Sequence, residues 1–318
     1  MQPRRLISLL VAVVLAAGAC SSDTITTSPT PSGPPGSASA GQSQRPTPSG
    51  VAPTTGPEGT PTTGSPGPSA TATPVPSPTG TGPSPTPKPP KPLPGYITHG
   101  KRNAKVLALT FDADMYPFMY ADRNSYTEYD PRVIKLIEDN HLHATIFVNG
   151  LYVKAYPDLI AELAKQPGIE IGNHTWDHAG WTTCNNTTPI QAPLTKATEI
   201  SKVEDIVKQT VGYQPVWFRY PGGCYGGASD LNLVKSYGEW PVGWSCYFGD
   251  PLLWSAAKQI QSVETGCSNG SIVITHLDNT RYHPNIYEAL KALIPWWKKN
   301  GWTIVNISEL MGQTPPKP

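Results

Sequence analysis

Carboxylates and imidazoles follow two apolar runs of this sequence at spacings that suit a metal ion. Asp112 and Asp114 come directly after the run 106–111, and His174 and His178 follow a later run, four positions apart. Carboxylate oxygens and imidazole nitrogens arranged in this way can meet one divalent cation. An Asp at a strand end is also a common turn former, and a His pair is also found in ordinary core and surface positions. Each motif alone therefore leaves both interpretations open.

Three further polar residues follow other apolar runs and could act on a proton. Arg219 follows the run 216–218, and its guanidinium fork suits a carboxylate, although a structural salt bridge is the commoner role. His276 follows the run 271–275, where an imidazole that titrates near neutral pH is a natural proton donor. Asp250 could pair with His276, or it could only form an Asp-Pro turn with the residue after it.

Strand-length apolar runs alternate with helical patterns along the second part of the chain. The runs are 106–111, 144–148, 169–171, 216–218, 240–244, 271–275 and 303–305. The helical patterns are 131–140, 156–165, 195–210, 228–237, 254–265 and 284–299, the first with Asp130 as its N-cap. This alternation predicts an α/β fold with a parallel sheet, open or closed into a barrel. In both forms, active residues gather at the carboxyl ends of the strands.

The composition divides the 318-residue chain into two unequal parts. All 28 aromatic residues lie after residue 95, whereas 21 of the 37 prolines fall between residues 23 and 95. A segment so poor in apolar side chains cannot offset its ordering entropy, which predicts a disordered Pro/Ser/Thr/Gly-rich tether over 21–95 and a folded domain over 96–318. From residue 96 onward, 19 Lys and Arg face 21 Asp and Glu. This balance excludes a simple electrostatic nucleic-acid binder.

The first 20 residues are typical of an export signal. Arg4 and Arg5 precede the apolar run 6–17, and small residues lead to Cys20. The segment resembles a bacterial lipoprotein signal, which implies that Cys20 is lipidated and anchors the chain to the outer face of the cytoplasmic membrane or within the cell wall. An ordinary cleaved signal with an incidental Cys would instead give a secreted protein. We expect a monomer whose membrane contact is this anchor alone, with a tether that reaches up to ~200 Å.

Four cysteines remain after Cys20, and an even number in an exported protein favours disulfides. They are Cys184, Cys224, Cys246 and Cys267. Three pairings are possible, and the sequence does not choose among them.

Five motifs in this order resemble the signatures of the polysaccharide deacetylase family of carbohydrate esterases, over about residues 104–312. They are Thr110-Phe111-Asp112, His174-Thr175-Trp176-Asp177-His178, Arg219-Tyr220-Pro221, Trp244 to Asp250, and Ile274-Thr275-His276. The resemblance implies a distorted seven-stranded (β/α) barrel and a divalent metal ion, with zinc as the first candidate and cobalt or nickel as alternatives.

The resemblance also implies roles for individual residues. Asp112 would be the general base, Arg219 would orient it, His276 would be the general acid tuned by Asp250, and His174 and His178 would bind the metal. Substrate contacts would come from Tyr220, Pro221, Trp244 and Ile274.

One position departs from the family pattern. Ala113 stands where the family has its second Asp, the carboxylate that binds the metal, and the nearest carboxylate is Asp114. Because a chain can turn at a strand end, we expect Asp114 to reach the metal. Tyr247 also stands where an Asp is often found.

The function implied by the resemblance is metal-dependent hydrolysis of acetyl groups on a cell-wall or other extracellular polysaccharide. An N-acetyl sugar is favoured and an O-acetyl sugar stays open, as does the identity of the polymer. The alternative is a non-catalytic, surface-anchored glycan-binding module on a degenerate barrel, which Ala113 would explain. A cyclic-amide hydrolase is a weaker option, because a tether gives no advantage with a diffusing substrate.

Overall fold

The computed structural model describes residues 95–101, 103–185 and 187–318. The predicted export signal, Cys20 and nearly all of the predicted tether lie outside these residues. Within the described part of the chain, none of the helices has the length and apolar character needed to cross a membrane.

The sheet is parallel throughout its named strands. These are β1 (Val106–Ala113), β2 (Ala144–Val148), β3 (Ile169–Asn173), β4 (Trp217–Phe218), β5 (Trp240–Pro241), β6 (Cys246–Tyr247), β7 (Ser271–His276) and β8 (Thr303–Val305). Their spatial order is β5-β4-β3-β2-β1-β7-β6, and β8 pairs with the beginning of β1. The seven parallel strands of that order, with helices between most of them, confirm the expected distorted seven-stranded barrel, and β8 is an eighth strand beside β1.

Helices follow most strands. They are α1 (Pro117–Ala121), α2 (Pro131–Asp139), α3 (Gly150–Ala155), α4 (Pro157–Lys165), α5 (Lys196–Val211), α6 (Ala228–Ser236), α7 (Ala256–Gly266), α8 (Ile286–Lys299) and α9 (Ile307–Leu310). Single 3₁₀ turns occupy Pro221–Gly223 and Asp250–Leu252. The Asp130 carboxylate caps α2 as expected, because it accepts the Arg132 N–H at 2.8 Å. The short helices α1, α3 and α9 were not predicted, since each is too short for a helical repeat.

Alternate residues of β1 lie in two environments, as the period of a strand requires. Leu109, Phe111 and Ala113 are buried in the main apolar core, which also holds side chains of α2, α4, α5 and α8. Ala108 belongs to a second apolar cluster that contains Ile307 and other residues around α9. One side of β1 is therefore buried in the main core along its whole length, whereas the other side changes from apolar Ala108 to polar Thr110 and Asp112 towards the carboxyl end.

The prediction of one strand over 240–244 is wrong. The strand β5 ends at Pro241, and a separate strand, β6, begins at Cys246. Between them, Val242 bridges to Ile97, and the Gly243 N–H donates to the Ile97 carbonyl at 2.8 Å. The chain therefore leaves β4 after Val242, because the next backbone hydrogen bond is made with Ile97, near the beginning of the folded domain.

Two disulfides resolve the pairing that the sequence left open. Cys184 is bonded to Cys224, and Cys246 to Cys267. The first disulfide joins the loop after β3 to the turn after β4, and the second joins β6 to the end of α7.

Candidate metal centre and active site

Parallel pairing brings the predicted site residues to one edge of the sheet. Asp112 in β1 is the register partner of His276 in β7. The last residue of β3, Asn173, pairs with the last residue of β4, so the residues that follow, His174 and Arg219, are also adjacent. The carboxyl ends of four strands therefore carry their polar side chains into the same region.

Asp114, His174 and His178 form a buried cluster with the geometry of a metal site. His174 Nε2 lies 3.4 Å from Asp114 Oδ1, and His178 Nε2 lies 3.2 Å from Asp114 Oδ2. One ligand atom from each residue lies within 4.8 Å of the other two. The two imidazole planes are inclined at 69°, so their in-plane lone pairs can converge on one point. The structure thus brings together the three residues predicted as metal ligands.

The hydrogen bonds of the cluster fit a cation. His174 Nδ1 lies 2.8 Å from the Arg219 carbonyl oxygen, which can only accept, so Nδ1 carries the proton and Nε2 keeps a lone pair. His174 Nε2 and Asp114 Oδ1 are buried without hydrogen-bond partners. Unpartnered buried acceptors are rare and costly, and a bound cation would satisfy both of these. The outer hydrogen bond of His174 is also typical of metal-binding histidines.

The electrostatics of the cluster favour the protonation states that bind a metal. Burial lowers the pKa of His174, although the carboxylates of Asp112 and Asp114 partly oppose it. Burial alone would raise the pKa of Asp114, but His178, together with His174 and His276, outweighs it and holds that pKa far below its usual range. A neutral imidazole and an ionised carboxylate are the forms that a divalent ion needs, and a bound cation would replace the imidazolium charges as the partner that keeps Asp114 ionised.

Strand alternation explains why the carboxylate stands at position 114. Asp112 and Asp114 have one residue between them and therefore project to the same side of the strand. Ala113 points to the opposite side and is only 1 % exposed, in the core with Phe111. A carboxylate at position 113 would lie in apolar surroundings in this backbone.

The loop that carries the two histidines has an unusual backbone. Thr175 and His178 have φ angles of 67° and 64°, the left-handed region that side chains other than Gly seldom adopt. Glu199 of α5 holds this loop, because its Oε2 accepts the N–H of Trp176 at 2.7 Å and that of Asp177 at 3.4 Å. Burial, with a smaller contribution from the neighbouring Asp177 carboxylate, raises the pKa of Glu199 to about 7. Sequence reasoning did not identify Glu199, which lies in the first turn of α5, where an acidic residue is common.

We expect Glu199→Ala to loosen the metal site without removing a ligand. Two loop amides lose their acceptor, which should lower the free energy of unfolding by about 1–3 kcal/mol. Zinc affinity should fall about tenfold, as for other groups that support metal ligands. Competition with a chromophoric chelator measures this affinity, and Glu204→Ala on the same helix is the matched control. An unchanged zinc affinity in Glu199→Ala would show that the loop holds its shape without this carboxylate.

A buried ion pair holds Asp112. The Arg219 side chain is fully buried, and its Nη1 donates to Asp112 Oδ1 at 2.6 Å and to the Thr110 hydroxyl at 2.8 Å. Its Nη2 donates to the Gly243 carbonyl at 3.2 Å. The other oxygen of Asp112, Oδ2, lies 3.5 Å from His174 Nε2. Arg219 therefore fixes one oxygen of Asp112 and leaves the other facing the cluster.

His276 is paired with Asp250. Its Nδ1 contacts Asp250 Oδ2, and its Nε2 lies 3.6 Å from Asp114 Oδ2. Burial would lower the pKa of His276, but the Asp250 carboxylate outweighs it and raises that pKa to about 10. The ring is thus able to present a proton on Nε2.

A second imidazole–carboxylate pair, His283 and Asp278, lies beside the first and was missed by sequence reasoning. His283 Nδ1 lies 2.9 Å from Asp278 Oδ1. Asp114, His276 and His283 also place ligand atoms within 4.8 Å of one another. However, the planes of the two imidazoles are parallel to within 4°, so their lone pairs do not converge on one ion. The only available signal was the cluster of polar residues after β7, which resembles an ordinary loop.

One cavity of about 420 Å³ borders members of the metal-type cluster, the ion pair and both imidazole–carboxylate pairs. Its walls include Asp112, Asp114, Tyr116, His178, Asn185, Gly222, Trp244, Tyr247, Ile274, His276 and His283. Two of the predicted substrate contacts, Trp244 and Ile274, are among them. Neither Tyr220 nor Pro221 lines the cavity. Both are buried, and the Tyr220 ring packs against Trp181, Phe218 and Tyr225.

Solved structures share this fold. A peptidoglycan N-acetylglucosamine deacetylase in complex with a hydroxamate, 4-naphthalen-1-yl-N-oxidanyl-benzamide, matches with a TM-score of 0.58 at 23% identity, covering 70% of this chain and 95% of that one. A carbohydrate esterase family 4 pseudoenzyme from Bacillus anthracis matches with a TM-score of 0.56 at 20% identity, covering 69% of each chain. At these identities, the likeness concerns the fold alone.

Sequence comparison agrees with the motifs. Residues 99–239 match the family model for polysaccharide deacetylase. A peptidoglycan-N-acetylglucosamine deacetylase of Bacillus cereus is 29% identical over 221 residues, which cover 68% of this chain and 93% of that protein. The chain therefore contains a segment over residues 99–239 that matches the polysaccharide deacetylase family, and its strand-end residues and barrel agree with that match.

Proposed function

We propose that this chain is a metal-dependent hydrolase that removes acetyl groups from N-acetyl sugars of an extracellular polysaccharide. The observation that supports this most strongly is the arrangement of three groups around one cavity: a metal-type cluster, a buried ion pair and an imidazole–carboxylate pair. A base, an acid and a cation site in mutual reach are what amide hydrolysis requires.

Asp114, His174 and His178 would hold the divalent ion. We propose zinc as the first candidate, with cobalt or nickel as alternatives, because two imidazoles and one carboxylate leave a coordination position free. A bound ion supplies Lewis-acid polarisation of the acetyl carbonyl and of water.

The two proton transfers of the reaction would be carried out by protein side chains. Asp112, with one oxygen fixed by Arg219, takes a proton from the attacking water as the new bond to the acetyl carbon forms. His276, held by Asp250, gives its Nε2 proton to the leaving nitrogen as the carbon–nitrogen bond breaks. The products are acetate and a free amine on the sugar.

The substrate polymer and the location are also proposals. The name of the Bacillus cereus relative and the predicted export signal favour peptidoglycan as the polymer. We propose that the domain over 96–318 acts as a monomer outside the cytoplasmic membrane, carried there by the lipidated Cys20 and the tether. A polymer fixed in the wall is the kind of substrate for which a long tether is useful.

Acetate release from a panel of polymers tests the proposed function. Peptidoglycan, chitin oligomers and acetyl-xylan would each be incubated with the full-length protein after chelation and again after zinc, cobalt or nickel is restored. We expect acetate from the N-acetylated polymers only when metal is present. Binding of metal and glycan with no acetate from any polymer would instead favour the non-catalytic glycan-binding alternative.

A further inference from the structure

One wall of the cavity is built from segments without regular secondary structure. Asn185 and Thr187, from the loop between β3 and α5, and Gly222, from the turn after β4, line this wall. The described residues between Asn173 and Lys196 form no helix or strand apart from an isolated bridge. Connections of this length are usually functional or mobile. The shape of this wall therefore depends on the contacts of its own side chains.

A covalent bond joins the two segments of the wall. Cys184 directly precedes Asn185, and its disulfide partner, Cys224, follows Gly222 by two positions. The Asn185 side-chain amide donates to the Gly222 carbonyl at 2.7 Å, and the Thr187 hydroxyl donates to the Cys184 carbonyl at 2.8 Å. The disulfide therefore brings together the residues that these hydrogen bonds connect.

The turn after β4 has little preference of its own for one conformation. Gly222 and Gly223 are consecutive, with φ angles of 59° and 73°. Glycine adopts this left-handed region and others at similar cost, so a turn with two glycines has alternatives to this conformation. A Cβ atom at position 222 would lie 3.0 Å from Thr187 Cγ2 and 3.3 Å from Asn185 Cβ. The loop thus packs closely on the turn, and the disulfide keeps the two in contact.

The second disulfide lies beside a wall of a different kind. Cys246 belongs to β6, and the next residue, Tyr247, lines the cavity. Tyr247 is the register partner of Ile274 in β7, and the Phe248 N–H donates to the Ile274 carbonyl at 3.1 Å. Strand pairing therefore holds Tyr247 whether or not Cys246 is bonded to Cys267.

A dithiol can reduce the bond between Cys184 and Cys224 in a balanced exchange. Cys184 is half-buried between the exposed residues Thr183 and Asn185, so its sulfur is the one open to attack. One thiolate of the dithiol bonds to Cys184 Sγ, and Cys224 leaves as a thiolate. The second thiol then displaces Cys184 and closes a disulfide within the reductant. Two electrons and two protons pass from the dithiol to the two cysteines.

Resting on the proposed function, we propose that the Cys184–Cys224 disulfide holds this wall in the conformation that binds the polymer, and that its reduction weakens substrate binding. The disulfide would be a redox-sensitive positioning element. Asp112 and His276 lie in β1 and β7, and Glu199 holds the metal-binding loop before the disulfide is reached. The proton transfers and the metal site would therefore not depend on it.

Two double variants of the metal-loaded, full-length protein test this role. Cys184→Ser/Cys224→Ser removes the proposed positioning element, and Cys246→Ser/Cys267→Ser is the matched control. The bonded cysteines are 40 and 21 positions apart, so similar losses of stability are expected. If the freed wall keeps its conformation about a tenth of the time, KM for the pentamer of N-acetylglucosamine rises about tenfold in the first variant only, with kcat and zinc affinity within about twofold of wild type.

Reduction of wild type gives the same comparison in a chain that has already folded. After dithiothreitol treatment and anaerobic transfer to zinc buffer, KM should rise to the value of Cys184→Ser/Cys224→Ser. The same treatment of that variant should change nothing further, and thermal unfolding identifies any sample that has lost its fold. An unchanged KM in the reduced wild type, or an equal rise in the control variant, would overturn the proposal.

Binding separates this proposal from the proposed function. Calorimetric titration of the pentamer into the same zinc-loaded samples measures affinity without turnover. If wild type released no acetate but bound the pentamer about tenfold more tightly than Cys184→Ser/Cys224→Ser, the deacetylase proposal would fail and the role of the disulfide would stand. Equal affinities in the two proteins would overturn that role.

Discussion

Asp114→Ala is expected to abolish acetate release and to lower zinc affinity at least about a hundredfold, more than the loss of a group that only supports a ligand. The physical reason is that Asp114 contacts both predicted histidine ligands, at 3.4 Å and 3.2 Å. Without it, the cluster keeps two imidazoles and no carboxylate. Asp112 would then be the only carboxylate among the described residues that contacts His174. Zinc content after dialysis and acetate release measure the two effects.

A double variant that moves the carboxylate from position 114 to position 113 is the matched control for Asp114→Ala. In Ala113→Asp/Asp114→Ala, the carboxylate moves to the position that the family pattern prefers. Because Ala113 faces the core beside Phe111, a charge there has no partner, and we expect a large loss of stability and no recovery of zinc binding. Recovery of zinc binding in this double variant would mean that the end of β1 adopts the backbone of the family pattern.

Asp112→Asn should separate catalysis from metal binding. Loss of a positioned general base typically lowers the rate by about 10²–10⁴-fold, while Asp114, His174 and His178 remain to hold zinc. We therefore expect kcat to fall by this factor with zinc affinity within a few-fold of wild type. Steady-state acetate release and chelator competition on the same sample measure the two quantities.

The buried ion pair complicates this variant and requires its own control. Arg219 is fully buried, and weakening its charge partner costs up to about 3–5 kcal/mol of the free energy of unfolding. Thr110→Val removes another hydrogen-bond acceptor of Arg219 without touching the base. It should lower stability while kcat stays within about tenfold of wild type. A similar fall of kcat in both variants would mean that Asp112 acts only by holding Arg219.

The positions of the predicted site residues followed from elementary rules. Polar residues after buried parallel strands meet at one edge, and this rule was sufficient for Asp112, His174, Arg219 and His276. Strand alternation also explains how Asp114 shares the side of Asp112, where the sequence suggested only that a chain can turn.

Other features depend on contacts that no local pattern encodes. The stacking of His283 on His276 arises from the path of the loop between β7 and α8, which the sequence presents only as scattered polar residues. The early end of β5 reflects pairing with Ile97, a residue distant in sequence. The disulfide pairs likewise follow from which loops the barrel brings together.

The most direct test of the proposed metal site is the position of zinc in crystals of the loaded protein, measured by anomalous diffraction at the zinc edge. We expect one strong peak at about 2.0–2.2 Å from an Asp114 carboxylate oxygen and from Nε2 of both His174 and His178. A zinc ion bound to the histidines without Asp114, or bound between His276 and His283, would contradict it.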